Sequence, residues 1–338
     1  MNRQILRDTI DQLFTDGKGL LAMDESISTC NKRFAAAGIP QTIEMRRSYR
    51  ELIVTTPGLH ESIGGAILCD ETIRQQTKAG ISLIDVLIKA GIVSGIKVDI
   101  GTNPMAGFPN EKLTEGLDGL RDRLAEYKKM GVRFAKWRAV IKIENNIPTT
   151  ACIEANVHAL SRYAALCQEV SIVPIVEPEV LMSGGHTMQR CYDVTQKVLQ
   201  NLFYQLYQFR IDLKGMILKP NMVIVGTESH AQNSIDEVAE ATFNCFLASV
   251  PAAVPAIAFL SGGQSPEEAT RHLNAINKKF KGRLPWIVSF SFARAIQQPA
   301  LEIWRGQQSN VEEAQKLLYR RAKYDAAARK GEYNTALG

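Results

Sequence analysis

One alternation of apolar runs and amphipathic stretches repeats eight times along this chain. Short apolar runs occur at residues 19–23, 65–69, 95–98, 132–137, 171–176, 215–218, 256–260 and 285–290. Between them lie longer stretches with apolar residues at helical spacing. A short, nearly continuous apolar run reads as a strand covered on both faces, as in a parallel sheet. Eight strand–helix repeats in one chain predict an α/β fold, a closed (β/α)8 TIM barrel. An open doubly wound sheet is the competing architecture, but no GxGxxG follows any of the runs. One barrel uses a chain of 338 residues in full, so the expectation is a single domain over 1–338.

Helix signals support the alternation. Residues 117–131 carry apolar residues at helical spacing and end in Gly131, a suitable residue just past a helix end. Residues 152–170 and 192–211 are longer helical patterns. Ser234 with Glu237, and Ser265 with Glu268, match the capping box. Pro266 falls at the first helical position, where its missing N–H costs nothing. The last helical pattern runs from near Asn310 to about Lys330. The polar residues 331–338 are expected to form a short mobile tail.

Composition excludes several functions. With 45% hydrophobic and 22% charged residues the chain reads as soluble and globular. A net charge of +5 without blocks of like charge argues against a nucleic-acid or membrane surface. The mild excess suits a small anionic substrate. The N-terminus lacks the apolar core of a signal peptide, and residues 250–260 are too short to span a bilayer. Six scattered cysteines without CxxC read as reduced thiols, so the expected compartment is the cytoplasm or one equally reducing. Five histidines show neither HxH nor HExxH spacing, so no metal site is expected.

Chemistry concentrates at the C-terminal ends of the eight runs, the face where barrel active sites are built. Those ends carry Asp24, Glu25 and Ser26; Lys97 and Asp99; Lys136 and Arg138; Glu177 and Glu179; Lys219; Ser261, Gly262 and Gly263; and Ser291 and Arg294. Spacing by two puts Lys136 with Arg138, and Glu177 with Glu179, on one side of their strands. Lys219 ends an apolar run, where an ammonium must be paired or shifted in pKa. Like-charge repulsion from Lys136 is expected to lower its pKa and make it a nucleophilic amine. Glu177 is the candidate for proton transfer during carbinolamine dehydration, and Asp24 for taking a hydroxyl proton when a carbon–carbon bond breaks. The Ser-Gly-Gly turn offers a phosphate cradle that Arg294 completes as a fork donor.

The motifs LAMDES, GIKVD, FAKWR, IVPIVEPE, LKPNMV, FLSGGQS and SFSFARA closely resemble those of class I, Schiff-base fructose-1,6-bisphosphate aldolases. The resemblance runs from about Gly17 to about Lys330. It implies that Lys219 forms the Schiff base, assisted by Lys136 and Glu177 with Glu179 beside them, and that Asp24 handles cleavage. It implies a C1 phosphate held by Ser261, Gly262 and Arg294. Ser26, Lys97 and Arg138 resemble contacts to the remaining substrate, and Thr29 and Arg33 follow from the basic helix after the first strand. No metal or organic cofactor is implied; the only partner beyond the phosphorylated sugar is the chain itself, as a homotetramer. The sequence departs from the family at Ile100, where a lysine is usual, and at Ala293, where animal members have glycine. Animal and plant members also end in a tail with a terminal tyrosine, linked to proton exchange at C3. Here the sequence stops at Gly338, and Tyr333 is expected to lack an apolar anchor. From the residue types alone two alternatives stay open: another Schiff-base barrel lyase, of the deoxyribose-phosphate aldolase or transaldolase type, and a non-catalytic barrel.

Overall fold

The structure is a computed structural model that describes residues 1–334. Among the described residues ten strands occur: β1 (Gly19–Ala22), β2 (Ile63–Leu68), β3 (Val93–Lys97), β4 (Gly101–Pro104), β5 (Lys112–Glu115), β6 (Phe134–Ile141), β7 (Val173–Val180), β8 (Ile217–Leu218), β9 (Ala256–Phe259) and β10 (Ile287–Phe292). Eight close into a parallel barrel in the order β1-β10-β9-β8-β7-β6-β3-β2. Helices between the strands cover it, so the fold is the expected (β/α)8 barrel. All eight apolar runs supply one barrel strand each. Strands β6 and β7 are longer than their runs, because the polar ends Arg138 and Glu177 to Glu179 stay paired in register.

Strand parity decides what points inward. Leu20, Ala22, Ile67, Val93, Phe134, Val173, Ile175, Ile217, Ala256 and Ala258 fill the barrel interior. The N-terminal helix Arg3–Phe14 joins this cluster through Leu6, Ile10, Leu13 and Phe14, plugging the end where the strands begin. Phe134 reaches across the interior because its neighbour is glycine: a Cβ on Gly95 would lie 2.2 Å from the Phe134 ring. Alternate residues, such as Leu21, Met23, Trp137, Val176 and Leu218, face the surrounding helices in a second, larger core. Side chains repeat every two residues along a strand. Continuing the inward set therefore delivers Asp24, Lys97, Lys136, Arg138, Glu177, Glu179 and Lys219 to the open end.

Both capping boxes form, at Ser234 and Ser265, with Pro266 opening its helix. The helices near 117–131, 152–170 and 192–211 span Leu120–Lys129, Thr150–Glu169 and Met188–Gln208. Two features differ from expectation. An antiparallel hairpin of β4 and β5 stands outside the barrel after β3, with Thr102 paired to Thr114. The tail, as far as it is described, is anchored rather than loose. The Tyr333 backbone N–H donates to Asn274 Oδ1 at 2.9 Å, and its ring sits 5.7 Å from that of Tyr324. The expectation that Tyr333 lacks an apolar contact is therefore corrected. Residues 335–338 lie outside the described residues.

Candidate active site

The barrel mouth holds a cavity of about 740 Å³. Its wall includes Asp24, Ser26, Thr29, Lys97, Lys136, Arg138, Glu177, Glu179, Lys219, Ser261, Gly262, Ser291 and Arg294. Of the residues singled out in the sequence, Gly263 and Arg33 stand apart. Gly263 completes the turn from behind: its φ of +75° favours glycine, and a Cβ there would lie 2.6 Å from Met182 Cβ. Arg33 is drawn away, because Glu25 is clamped between Arg33 and Arg50. The Arg33 Nε also donates to Gln298 Oε1 at 3.2 Å. As a substrate contact Arg33 is corrected: the adjacent Lys32 lines the cavity instead.

At the floor lies a chain of alternating charge. Lys219 Nζ is 3.0 Å from Glu177 Oε1; Lys136 Nζ is 3.1 Å from Glu177 Oε2 and 2.7 Å from Asp24 Oδ2. All four residues are buried. The two lysines do not face each other directly. Glu177 stands between them and bridges both Nζ atoms. Burial alone would raise the Asp24 pKa, but Lys136 and then Lys219 hold it at about 2. Glu177 is likewise lowered against its burial, by Lys136, Lys219 and Arg138. Burial opposes the charge on Lys136, yet Asp24 and Glu177 raise its pKa. The result is a fixed Lys136 ammonium between two ionised carboxylates, with Lys219 Nζ against the far oxygen of Glu177.

Further out, Arg138 pairs with Glu179, and Lys97 with Asp99 at 2.7 Å. The Ser291 hydroxyl is buried and makes no hydrogen bond among the described residues, a polar group free for a ligand. Gly262 lies between Leu260 and Glu179; a Cβ would come within 2.8 Å of Leu260 Cδ1. Arg294 opens the helix Arg294–Trp304, whose N-cap residue Ala293 supplies no side-chain bond. Its first N–H groups are thus left for an anion. Ser26 caps the helix Ile27–Ala36, and its hydroxyl lies 3.0 Å from those of Ser28 and Thr29. Lys32, Ser28, Lys112 and the β4 residues Thr102 and Asn103 also line the mouth, though no strand-end rule pointed to them. Among the described residues no group of three or more His, Cys, Asp or Glu is arranged to hold a metal ion.

The barrel agrees with the comparisons. The model for the family fructose-bisphosphate aldolase class-I matches residues 5–338. The chain belongs to the class-I fructose-bisphosphate aldolase family. A probable fructose-bisphosphate aldolase class 1 of Xanthomonas axonopodis pv. citri is 52% identical over 334 residues, covering 98% of this chain and 99% of its own. The cytosolic fructose-bisphosphate aldolase 4 of Arabidopsis thaliana is 48% identical, covering 94% and 81%. Among solved structures, the fructose-bisphosphate aldolase of Plasmodium falciparum, in complex with TRAP and a small molecule inhibitor, superposes with a TM-score of 0.96. It is 43% identical and covers 98% of this chain and 96% of its own. Membership makes the chain a lyase of the aldolase type and decides against the transaldolase-type and non-catalytic readings. No described helix is long and apolar enough to cross a membrane.

Proposed function

We propose that the chain cleaves fructose 1,6-bisphosphate reversibly to dihydroxyacetone phosphate and glyceraldehyde 3-phosphate through a Schiff base on Lys219. The observation that carries this reading is the buried Asp24–Lys136–Glu177–Lys219 chain. The Lys219 amine attacks the C2 carbonyl, and Glu177, 3.0 Å away, moves the protons that let the carbinolamine lose water. The resulting iminium draws the electrons of the C3–C4 bond. Asp24, ionised by its lysine neighbours, takes the C4 hydroxyl proton as that bond breaks and the aldehyde departs. The enamine gains a proton at C3, and water releases the ketone product. Lys136 keeps both carboxylates ionised and in place. Glu179 holds Arg138 toward the substrate, while Ser261, Gly262, Ser291 and Arg294 take the C1 phosphate. Ser26, Thr29, Lys97 and Arg138 contact the rest of the sugar phosphate.

The iminium serves as the electron sink, so the reading includes neither a metal nor an organic cofactor. It places the protein in glycolysis and gluconeogenesis, in the cytoplasm, as a homotetramer. Six free cysteines suit a reducing compartment, and cytosolic relatives support the location. The deciding experiment is borohydride reduction in the presence of dihydroxyacetone phosphate, followed by peptide mapping. Lys219 should carry the label and activity should be lost. Labelling at Lys97 or Lys136 with Lys219 unmodified would overturn the assignment.

A further inference from the structure

The charges lining the mouth fall into two sets. Lys97, Lys136, Arg138 and Lys219 each contact a carboxylate, supplied by Asp24, Asp99, Glu177 and Glu179. Four cations thus face four carboxylates, and the inner set carries little excess charge for an anion. Lys32, Lys112 and Arg294 also line the cavity, and none of the three makes an ion pair among the described residues.

Ring order then places these free cations relative to the reaction. In the closed barrel β9 lies directly across from β3, and β10 across from β6. Ser261, Gly262 and Arg294 follow β9 and β10. On the far side, Lys97 ends β3, the hairpin carrying Lys112 follows it, and Arg138 lies on β6. A bisphosphate with one end at Arg294 and its carbonyl at Lys219 therefore sends its other end toward β3 and β6. There Lys97 and Arg138 already share their charge with Asp99 and Glu179. Ile100, 70% exposed on the same wall, adds none. On that side Lys112 is the free cation, while Lys32 stands on the helix Ile27–Ala36, which follows β1.

Its position is also fixed by contacts the sequence does not announce. Asn156 Nδ2 donates to the Lys112 carbonyl at 2.9 Å, while Asn156 Oδ1 accepts from the Thr114 N–H. The Thr114 hydroxyl donates to the Arg138 carbonyl at 2.8 Å, tying the hairpin to β6. The backbone of β5 is thus held against the barrel while the Lys112 side chain stands exposed at the cavity wall.

We propose that Lys112 binds the distal phosphate of the bisphosphate, the one that leaves with the aldehyde. This rests on the aldol reading above. It makes the hairpin a specificity element that distinguishes a bisphosphate from a monophosphate. An exposed cation facing a phosphate at contact distance gives about a five- to tenfold effect at low salt, and less as salt rises.

The test compares Lys112→Gln and Lys112→Arg with wild type on fructose 1,6-bisphosphate and on fructose 1-phosphate, which has no distal phosphate. In Lys112→Gln the KM for the bisphosphate should rise about five- to tenfold with kcat within twofold. The KM for fructose 1-phosphate should move less than twofold. Lys112→Arg should restore the bisphosphate KM, and the salt dependence of that KM should be shallower in Lys112→Gln. An unchanged bisphosphate KM, or equal shifts for both substrates, overturns the proposal. A wild-type protein that cleaves neither substrate and takes no borohydride label at Lys219 overturns the aldol reading instead.

Discussion

Glu177 touches two lysine Nζ atoms at once, 3.0 Å from Lys219 and 3.1 Å from Lys136. That bridge is what separates this Lys219 from a lysine at any strand end. The polar types at the strand ends were readable from the sequence, and parity alone puts them inside the mouth. Which carboxylate faces which lysine was not, because Asp24, Lys136 and Glu177 come from three strands and meet only when the barrel closes. Removing the Asp24 carboxylate tests the division of roles. Asn at this position can still accept from Lys136 but cannot take a proton. Asp24→Asn should lower kcat for cleavage by about 10²–10⁴-fold. Labelling of Lys219 by borohydride with dihydroxyacetone phosphate should persist. Cleavage at the wild-type rate would remove Asp24 from the mechanism.

The Ser-Gly-Gly turn shows how an element can be specified by what it lacks. Gly263 has a φ of +75°, and a methyl there would lie 2.6 Å from Met182 Cβ. Gly263→Ala should cost about 1–3 kcal/mol of stability through backbone strain. Urea unfolding would read it as a lower midpoint at unchanged slope, and the KM for phosphorylated substrate should rise with it. Equal midpoints would mean that the turn adapts. Other elements were legible to different degrees. The capping boxes at Ser234 and Ser265 are local signals, and both form. The hairpin was missed because GTNP and KLTE lack the β-branched alternation of a strand, and Pro104 lacks a donor. Arg33 was misplaced because it pairs with Glu25, which Arg50 on the next helix, Ile43–Val54, also holds. The anchor of Tyr333 was invisible for the same reason: Asn274 belongs to a different helix.

For the molecule as a whole, the C-terminal helix Val311–Lys330 closes the barrel wall against its neighbours and buries Asp325 completely. Asp325 Oδ1 accepts from the Thr270 hydroxyl at 2.6 Å, and Oδ2 has no hydrogen-bond partner among the described residues. Burial pushes its pKa up to about 7, although Arg321 pulls the other way. A carboxyl raised in the folded state favours folding most at low pH. That contribution is present below about pH 4, the ordinary carboxylate range, and fades as pH rises toward 7. Asp325→Asn keeps the acceptor for Thr270 and removes the titration. The Tm of the variant relative to wild type should therefore climb between pH 4 and 8; parallel Tm curves would show that Asp325 does not titrate in this window. The floor of the mouth behaves differently. In the proposed mechanism an iminium on Lys219 leaves two positive and two negative charges there, and the sum is zero. A proton passed along that chain moves charge about without adding any. The proposed bond-breaking machinery is therefore nearly silent to an anion still outside, and attraction over distance is left to rim cations on other elements. On the proposed reading capture and conversion fall to separate sets of residues, so the reach of the molecule for its substrate can change without altering the chemistry beneath.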